Sequence, residues 1–192
     1  MITFDLVRMT KEVQEGLQRV AAEKLADFDS SKLICGATHT DCGPSISYER
    51  TGPGQLYDIS DRTDVMTPQQ YILLLYERVG AGIEEAWRGR KPAGVSWGLG
   101  HAAVGYNRRL SYADGSAIMG FDTAREDFSH VEGSEDHGVE MLFFWDADEK
   151  LTGMLLNIAC PSQVGRKAIS ADFWHPIREG IKEKYGLEVH VF

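Results

Sequence analysis

With 192 residues, the chain is long enough for one domain with its own core, because domains usually contain about 50 to 250 residues. Its net charge of -9 at pH 7, without any basic stripe, excludes a protein that holds the phosphate backbone of nucleic acid. No apolar run reaches the roughly 18 to 20 residues that a membrane-spanning helix needs, so we expect no transmembrane segment.

The first predicted elements are a helix and a short buried strand. Apolar residues recur at three- and four-residue steps from Thr10 to Ala26, which predicts an amphipathic helix whose apolar face packs on a sheet. The apolar run from Lys32 to Ala37 predicts a buried strand that delivers the following polar residues to its carboxyl end.

A long loop and a well-marked second helix follow. The segment from Ser45 to Met66 is rich in Gly, Ser, Asp and Tyr without a clear period, which predicts a surface loop. Thr67 is placed as the N-cap of the next helix, with Pro68 in the first position and Gln70 able to complete a capping box. We expect this helix to end near Arg88.

Strand patterns dominate the second half of the chain. Val95 to Val104 contains interleaved glycines, which predicts a strand whose backbone approaches a neighbour closely. Two further apolar runs, Met141 to Asp146 and Leu151 to Cys160, flank a short charged connector and predict an antiparallel pair.

The C-terminal residues predict one more helix and one more strand. Ala171 to Tyr185 is introduced by Ser170 and followed by Gly186, a common stop signal. Leu187 to Phe192 alternates in strand fashion. The whole pattern predicts an α/β protein, a single domain with a mixed sheet flanked by helices and a site at strand ends.

Polar residues directly after the first buried strand form the first candidate site. In an extended backbone His39 and Asp41 would emerge on the same face, and both residue types bind zinc. The alternative is structural, with His39 capping the strand end and Asp41 beginning an Asx turn. The residue types alone favour the structural alternative, because His-x-Asp is frequent by chance.

A second candidate site follows the glycine-containing strand. Asn107, Arg108 and Arg109 offer amide and guanidinium donors, which suit a carbonyl, carboxylate or phosphate oxygen. A solvated surface turn is the structural alternative. His101 and His137 are further candidate site residues, because each lies beside a glycine-rich or acidic segment suited to lining a cleft.

The three cysteines form an odd set without a dense disulfide framework, which indicates reduced thiols or a ligand role. Cys160 closes an apolar strand, and its thiolate is able to bind zinc. A buried structural cysteine is the commoner alternative. A hydrolase that uses Cys160 as its nucleophile is the least favoured interpretation, because no Cys-His signature accompanies it.

Four segments together resemble the neutral ceramidase family. Ile34 to Pro44 reads Ile-Cys-Gly-Ala-Thr-His-Thr-Asp-Cys-Gly-Pro, which resembles the signature Ala-Thr-His-Thr-His-Ser-Gly-Pro. Tyr106 to Arg109, Leu156 to Ser162 and Ile169 to Phe173 then follow in the family's order. The resemblance covers nearly the whole chain and identifies residues 1–192 as part of a neutral ceramidase-like catalytic domain.

The resemblance implies a zinc-dependent hydrolase of amide bonds in ceramide-like or other N-acyl compounds, with a small-molecule or lipid substrate. It implies His39 as a zinc ligand. Arg108 matches the arginine that orients the substrate or holds its oxygen, with Asn107 and Arg109 beside it as substrate-binding candidates.

Two departures from the family pattern affect the expected chemistry. Asp41 stands where the family has a second histidine near the substrate, so Asp41 and His101 are the candidates for proton transfer. Cys160 stands where the family strand supplies another histidine ligand, and zinc accepts thiolate in that role. These departures favour the rival hypothesis of a non-catalytic binding or structural module derived from the same fold.

The ends of the sequence suggest a domain truncated at both ends. The family's serine nucleophile lies in a Gly-Asp-x-Ser-Pro segment beyond the strand that Leu187 to Phe192 begins. Ile2 to Val7 resembles an internal strand and lacks the features of a secretory signal, so the cytoplasm is the default location. We therefore expect either a fragment or a chain completed by a homo-oligomer or a neighbouring chain.

Overall fold

Helices and strands alternate along the chain in a computed structural model that describes residues 1–47, 58–120, 122–165 and 168–192. These residues divide into two compact units, one built from Met1–Ala93, Ser162–Glu188 and Phe192, the other from Gly94–Pro161 and Val189–Val191. The described elements include α-helices and a sheet with both parallel and antiparallel pairs. The predicted α/β class with a mixed sheet is therefore confirmed.

The first unit combines helices with a small parallel sheet. Its elements are β1 (Ile2–Phe4), α1 (Lys11–Lys24), a 3-10 helix (Ser30–Lys32), β2 (Cys35–Ala37), α2 (Pro68–Arg88) and α3 (Trp174–Tyr185). Strands β1 and β2 pair in parallel, with Thr3 opposite Gly36.

Local signals set the start of the two longer helices. Thr10 caps α1 by accepting a hydrogen bond from the backbone N–H of Val13. Thr67 Oγ1 accepts from Gln70 N at 3.2 Å, and Gln70 Oε1 accepts from Thr67 N at 2.8 Å. The predicted capping box is confirmed, and α2 ends at Arg88 as expected.

The core of the first unit lies between α1, α2 and the small sheet. The expected packing of α1 on a sheet is only part of this arrangement, because α1 also packs against α2. Gly16 of α1 faces the ring of Tyr76 on α2 with no room for a Cβ atom. The buried core residues are Phe4, Leu6, Val13, Leu17, Ala21, Leu25, Leu33, Ile46, Ile72, Leu75 and Ile83.

The last helix begins three residues later than predicted. The expected start was Ala171, but Asp172 has a positive φ of 56°, which a right-handed helix does not accommodate. Helix α3 therefore starts at Trp174. Pro176 then lies in its first turn, where a missing backbone N–H costs nothing.

The second unit contains a four-stranded mixed sheet in the order β3-β7-β8-β9. The predicted antiparallel pair is confirmed by the β7–β8 register, with Leu142 opposite Leu155. The predicted strand from Leu187 to Phe192 shortens to two residues that pair in parallel with β8. The strands are β3 (Gly94–His101), β7 (Gly138–Trp145), β8 (Leu151–Ile158) and β9 (His190–Val191).

A second, three-stranded sheet in this unit was not predicted. Its order is β5-β4-β6, formed by Ala117–Met119, Arg109–Tyr112 and Phe128–Val131.

The predicted loop from Ser45 to Met66 falls partly on residues 48–57, which lie outside the described residues, and its other residues form neither helix nor strand. Across the described part of the chain, every helix is too short or too polar to span a bilayer.

Candidate functional site

The segment that follows β2 alternates buried and exposed side chains. Thr38 and Thr40 are 8% and 0% exposed, whereas His39 and Asp41 are exposed. The two side chains with acid-base or ligand chemistry therefore face outward, and the two hydroxyls face inward. This is the arrangement that would present His39 and Asp41 to a ligand.

The backbone at His39 differs from the expected extended conformation. Strand β2 ends at Ala37, and His39 has a φ of 58°, which lies in the left-handed region. That conformation costs an L-residue about 1 to 2 kcal/mol. Such a residue persists only when its surroundings hold it in place.

Buried hydroxyl groups hold the residues on either side of His39. Ser162 is 0% exposed, and its Oγ donates to the carbonyl oxygen of Thr38 at 2.9 Å. The backbone N–H of Asp41 donates to the carbonyl oxygen of Ser162 at 3.3 Å. Thr40 Oγ1 donates to the carbonyl oxygen of Ser170 at 2.8 Å.

An ion pair supports the same segment from the end of β1. Thr38 Oγ1 donates to Asp5 Oδ1 at 3.2 Å. The guanidinium of Arg178 donates two hydrogen bonds to the Asp5 carboxylate, at 2.7 and 3.0 Å. Burial raises the pKa of the nearby Tyr71 phenol, and the negative charge of Asp5 adds to that effect.

Asp172 fixes the residues that follow Ser162. Its carboxylate accepts hydrogen bonds from the backbone N–H groups of Val164, Gly165 and Phe173, at 3.0, 3.4 and 2.7 Å. The side chain is nearly buried, since Asp172 is 4% exposed. Its positive φ brings the carboxylate into the turn before α3 instead of into the helix.

The predicted Asn-Arg-Arg site lies in the second unit. The side chain of Asn107 accepts from Arg109 N at 3.0 Å and donates to the carbonyl oxygen of Glu132. Arg109 forms an ion pair with the Glu132 carboxylate. Asn107 and Arg109 are therefore engaged in tying two backbone segments together, while Arg108 between them is half-buried.

Cys160 and His101 also belong to the second unit. Cys160 is half-buried and is not in a disulfide, and its Sγ lies 3.5 Å from the carbonyl oxygen of Val104. His101 is the exposed last residue of β3. The next residue, Ala102, donates its N–H to the carbonyl oxygen of His137. The two candidate histidines, His101 and His137, therefore lie at the same end of the β3–β7 pair.

The described residues do not fit a complete zinc site. A zinc ion in a catalytic site takes three protein ligands, and a structural zinc takes four. Within the described part of the chain, no group of three or more His, Cys, Asp or Glu side chains is arranged to hold a metal ion.

No family model and no curated protein matches the sequence of this chain. Known structures, in contrast, match its fold. The crystal structure of neutral ceramidase from Pseudomonas aeruginosa matches with a TM-score of 0.64 and 18% identity, over 98% of this chain and 29% of that chain. A structure of ceramidase complexed with C2 gives a TM-score of 0.63, 18% identity, and coverage of 98% and 28%.

The chain has the fold of part of a neutral ceramidase. It spans less than a third of the length of the ceramidase chains that it matches. The resemblance based on Ile34 to Pro44 is thus confirmed as a likeness of fold.

Two supporting residues in this ceramidase-like fold were not assigned a role from the sequence. Ser162 and Asp172 both lie in segments that resemble the ceramidase family, Leu156 to Ser162 and Ile169 to Phe173. The sequence signal that could have identified these two residues was their polar character inside segments that resemble the family. Nothing local showed that Ser162 bonds to the backbone on both sides of His39, which precedes it by more than 120 residues, or that Asp172 holds the segment after Ser162.

The left-handed backbone predicts an unusual order of stability at position 39. His39→Gly should be more stable than His39→Ala by about 1 kcal/mol, because glycine adopts positive φ without steric cost. At the neighbouring Asp41, which is not among the described residues with positive φ, we expect the reverse order. Urea denaturation of the four variants measures this, and equal stability of the two position-39 variants would contradict the strained backbone.

Proposed function

We propose that the chain is part of a hydrolase that cleaves amide bonds in ceramide-like or other N-acyl compounds. The supporting observation is the exposed His39, held with a left-handed backbone in a segment that resembles the ceramidase signature. The ceramidase fold over 98% of the chain is consistent with this proposal. In hydrolysis, water adds to the amide carbonyl and the C–N bond breaks, giving a carboxylate and an amine.

The proposed roles follow from the residue types and their exposure. The resemblance makes His39 the proposed nitrogen ligand of a zinc ion, which would supply Lewis-acid chemistry and would need at least two further protein ligands. Asp41 is the proposed proton acceptor, because its exposed carboxylate follows His39 by two residues. Arg108 is proposed to hold a substrate oxygen, and Cys160 and His101 stay candidates for metal binding and proton transfer.

The test is release of amine from a fluorogenic N-acyl amide by the whole chain with added zinc. We expect His39→Ala to lower the rate at least about tenfold, since a positioned catalytic group or ligand contributes that much or more. His175→Ala is the matched control, because His175 is also exposed and lies in the same unit. Equal rates in His39→Ala and the parent chain would contradict the proposal.

A non-catalytic binding module is the second candidate. It is favoured by two observations, the lack of a three-ligand metal group among the described residues and the engagement of Asn107 and Arg109 with Glu132. This candidate predicts binding of a fluorescent N-acyl probe, measured by anisotropy, with no amine release from any variant. Amine release that depends on His39 would exclude it.

A further inference from the structure

Ser162 bridges the backbone across His39. Its hydroxyl donates to the carbonyl oxygen of Thr38, directly before His39, and its own carbonyl oxygen accepts from the N–H of Asp41, two residues after His39. A single buried residue thus fixes both sides of the left-handed residue. The imidazole of His39 projects from this bridge as an exposed group.

Further hydrogen bonds join segments next to Ser162 and Thr40 to Ser170 and Asp172. We name Thr40, Ser162, Ser170 and Asp172 the support cluster. Thr40 Oγ1 donates to the carbonyl oxygen of Ser170, and Ser170 Oγ accepts from the backbone N–H of Asp172 at 3.0 Å. The Asp172 carboxylate then accepts from Val164 N, two residues after Ser162.

We propose that Ser162 is a positioning residue that keeps the His39 imidazole in one orientation. The physical reason is that the left-handed backbone is unfavourable for an L-residue, and a buried hydrogen bond to the adjoining carbonyl group helps to offset that cost. The inference rests on the proposed function, because it assigns Ser162 its role through His39.

A purely structural role for Ser162 makes a different prediction. If its hydroxyl only satisfies a buried carbonyl group, its loss lowers global stability without changing the conformation of His39. A matched control for that effect is Thr152→Val in the second unit, which removes a hydroxyl that donates to the carbonyl oxygen of Phe144 at 3.1 Å. Both variants lose one hydrogen bond from a hydroxyl to a backbone carbonyl.

The experiment measures the His39 conformation by NMR in the whole chain carrying labelled histidine. Scalar and dipolar couplings report its φ, and relaxation of the imidazole C–H groups reports its order. We expect Ser162→Ala to replace the single left-handed conformation with an averaged one. Thr152→Val should leave His39 unchanged, and Ser162→Thr, which keeps the hydroxyl, should restore the parent conformation.

Amine release measured on the same samples separates this inference from the proposed function. A rate that falls at least about tenfold in Ser162→Ala and recovers in Ser162→Thr supports both. If the parent chain releases no amine, the proposed function fails, and the NMR comparison still decides the positioning role.

An identical His39 conformation in Ser162→Ala and in the parent chain would overturn the inference, whatever the rate. Should Ser162→Ala fail to fold, Ser162→Cys keeps a side chain of similar shape and replaces the hydroxyl with a weak thiol donor. The same NMR readout then applies, and an unchanged His39 in that variant would overturn the inference too.

Discussion

Replacing Asp172 with alanine is expected to lower the free energy of unfolding by about 2 to 4 kcal/mol. The carboxylate accepts three backbone N–H hydrogen bonds in a nearly buried position, and alanine leaves those donors without an acceptor. Alanine also adopts the positive φ of this position less readily than aspartate does. Urea denaturation followed by circular dichroism measures the loss.

Two further variants show which feature of Asp172 matters. Asp172→Asn retains a carbonyl oxygen and tolerates positive φ, so we expect it to lose less stability than Asp172→Ala. Asp136→Ala is the control, because Asp136 is exposed and accepts one backbone hydrogen bond, from Gly138 N at 2.8 Å. Equal losses in Asp172→Ala and Asp136→Ala would show that the turn before α3 does not depend on Asp172.

The two longer helices, α1 and α2, were predictable because their signals are local. Thr67, Pro68 and Gln70 lie within four consecutive residues, and their capping interactions need no distant partner. The β7–β8 pair was predictable for a similar reason, since two apolar runs flank a connector of hairpin length. Sequence reasoning succeeds where the stabilising contacts are close in the chain.

The left-handed conformation at His39 depends on distant residues and was therefore not predictable. Ser162 Oγ and the Thr38 carbonyl oxygen belong to residues 124 positions apart, and the Thr40 to Ser170 hydrogen bond spans 130 positions. Without these partners, the pattern after β2 predicts continued extended backbone. The late start of α3 has a more local cause, because the carboxylate of Asp172 in the support cluster accepts hydrogen bonds from backbone N–H groups seven and eight residues before it.

The three-stranded sheet of the second unit was not predicted, because its strands show only a weak alternation of apolar and polar residues. Strands β4, β5 and β6 contain only three or four residues each, and the β4–β6 register shifts between Ser111 and Tyr112. Such short strands give too few alternations to separate a strand from a loop. Tyr112 nevertheless lies buried in β4, so packing in the fold determines this sheet.

The residues of the candidate site stay a prediction, and the hydrogen bonds that hold the segment around His39 could not be predicted from the sequence. The resemblance to the ceramidase signature located His39 and Asp41, and the structure leaves both exposed. The expectation for Asn107 and Arg109 rested on their chemistry and on the family resemblance, and neither could reveal that Glu132 already binds both side chains. A polar or charged side chain therefore needs its partners identified before a role is assigned to it.

The two glycines of the signature segment are expected to respond differently to the same substitution. A Cβ atom on Gly43 would lie 2.5 Å from the carbonyl oxygen of Asp5 and 3.1 Å from the Cα of Leu6, both backbone atoms at the end of β1. A Cβ atom on Gly36 would meet nothing within 4 Å. The added methyl group is the same in both variants, so any difference arises from their surroundings.

Gly43→Ala should lower the free energy of unfolding by about 1 to 3 kcal/mol, because the backbone at Asp5 must shift to admit the methyl group. Gly36→Ala should change it by no more than about 0.5 kcal/mol in either direction. Urea denaturation compares the two. If the shift at Asp5 also weakens its hydrogen bond with Thr38, the NMR signals of His39 should move in Gly43→Ala only. Similar stability of both variants would show that the signature glycine has no packing role at β1, leaving Ser162 and Thr40 as the elements that shape this segment.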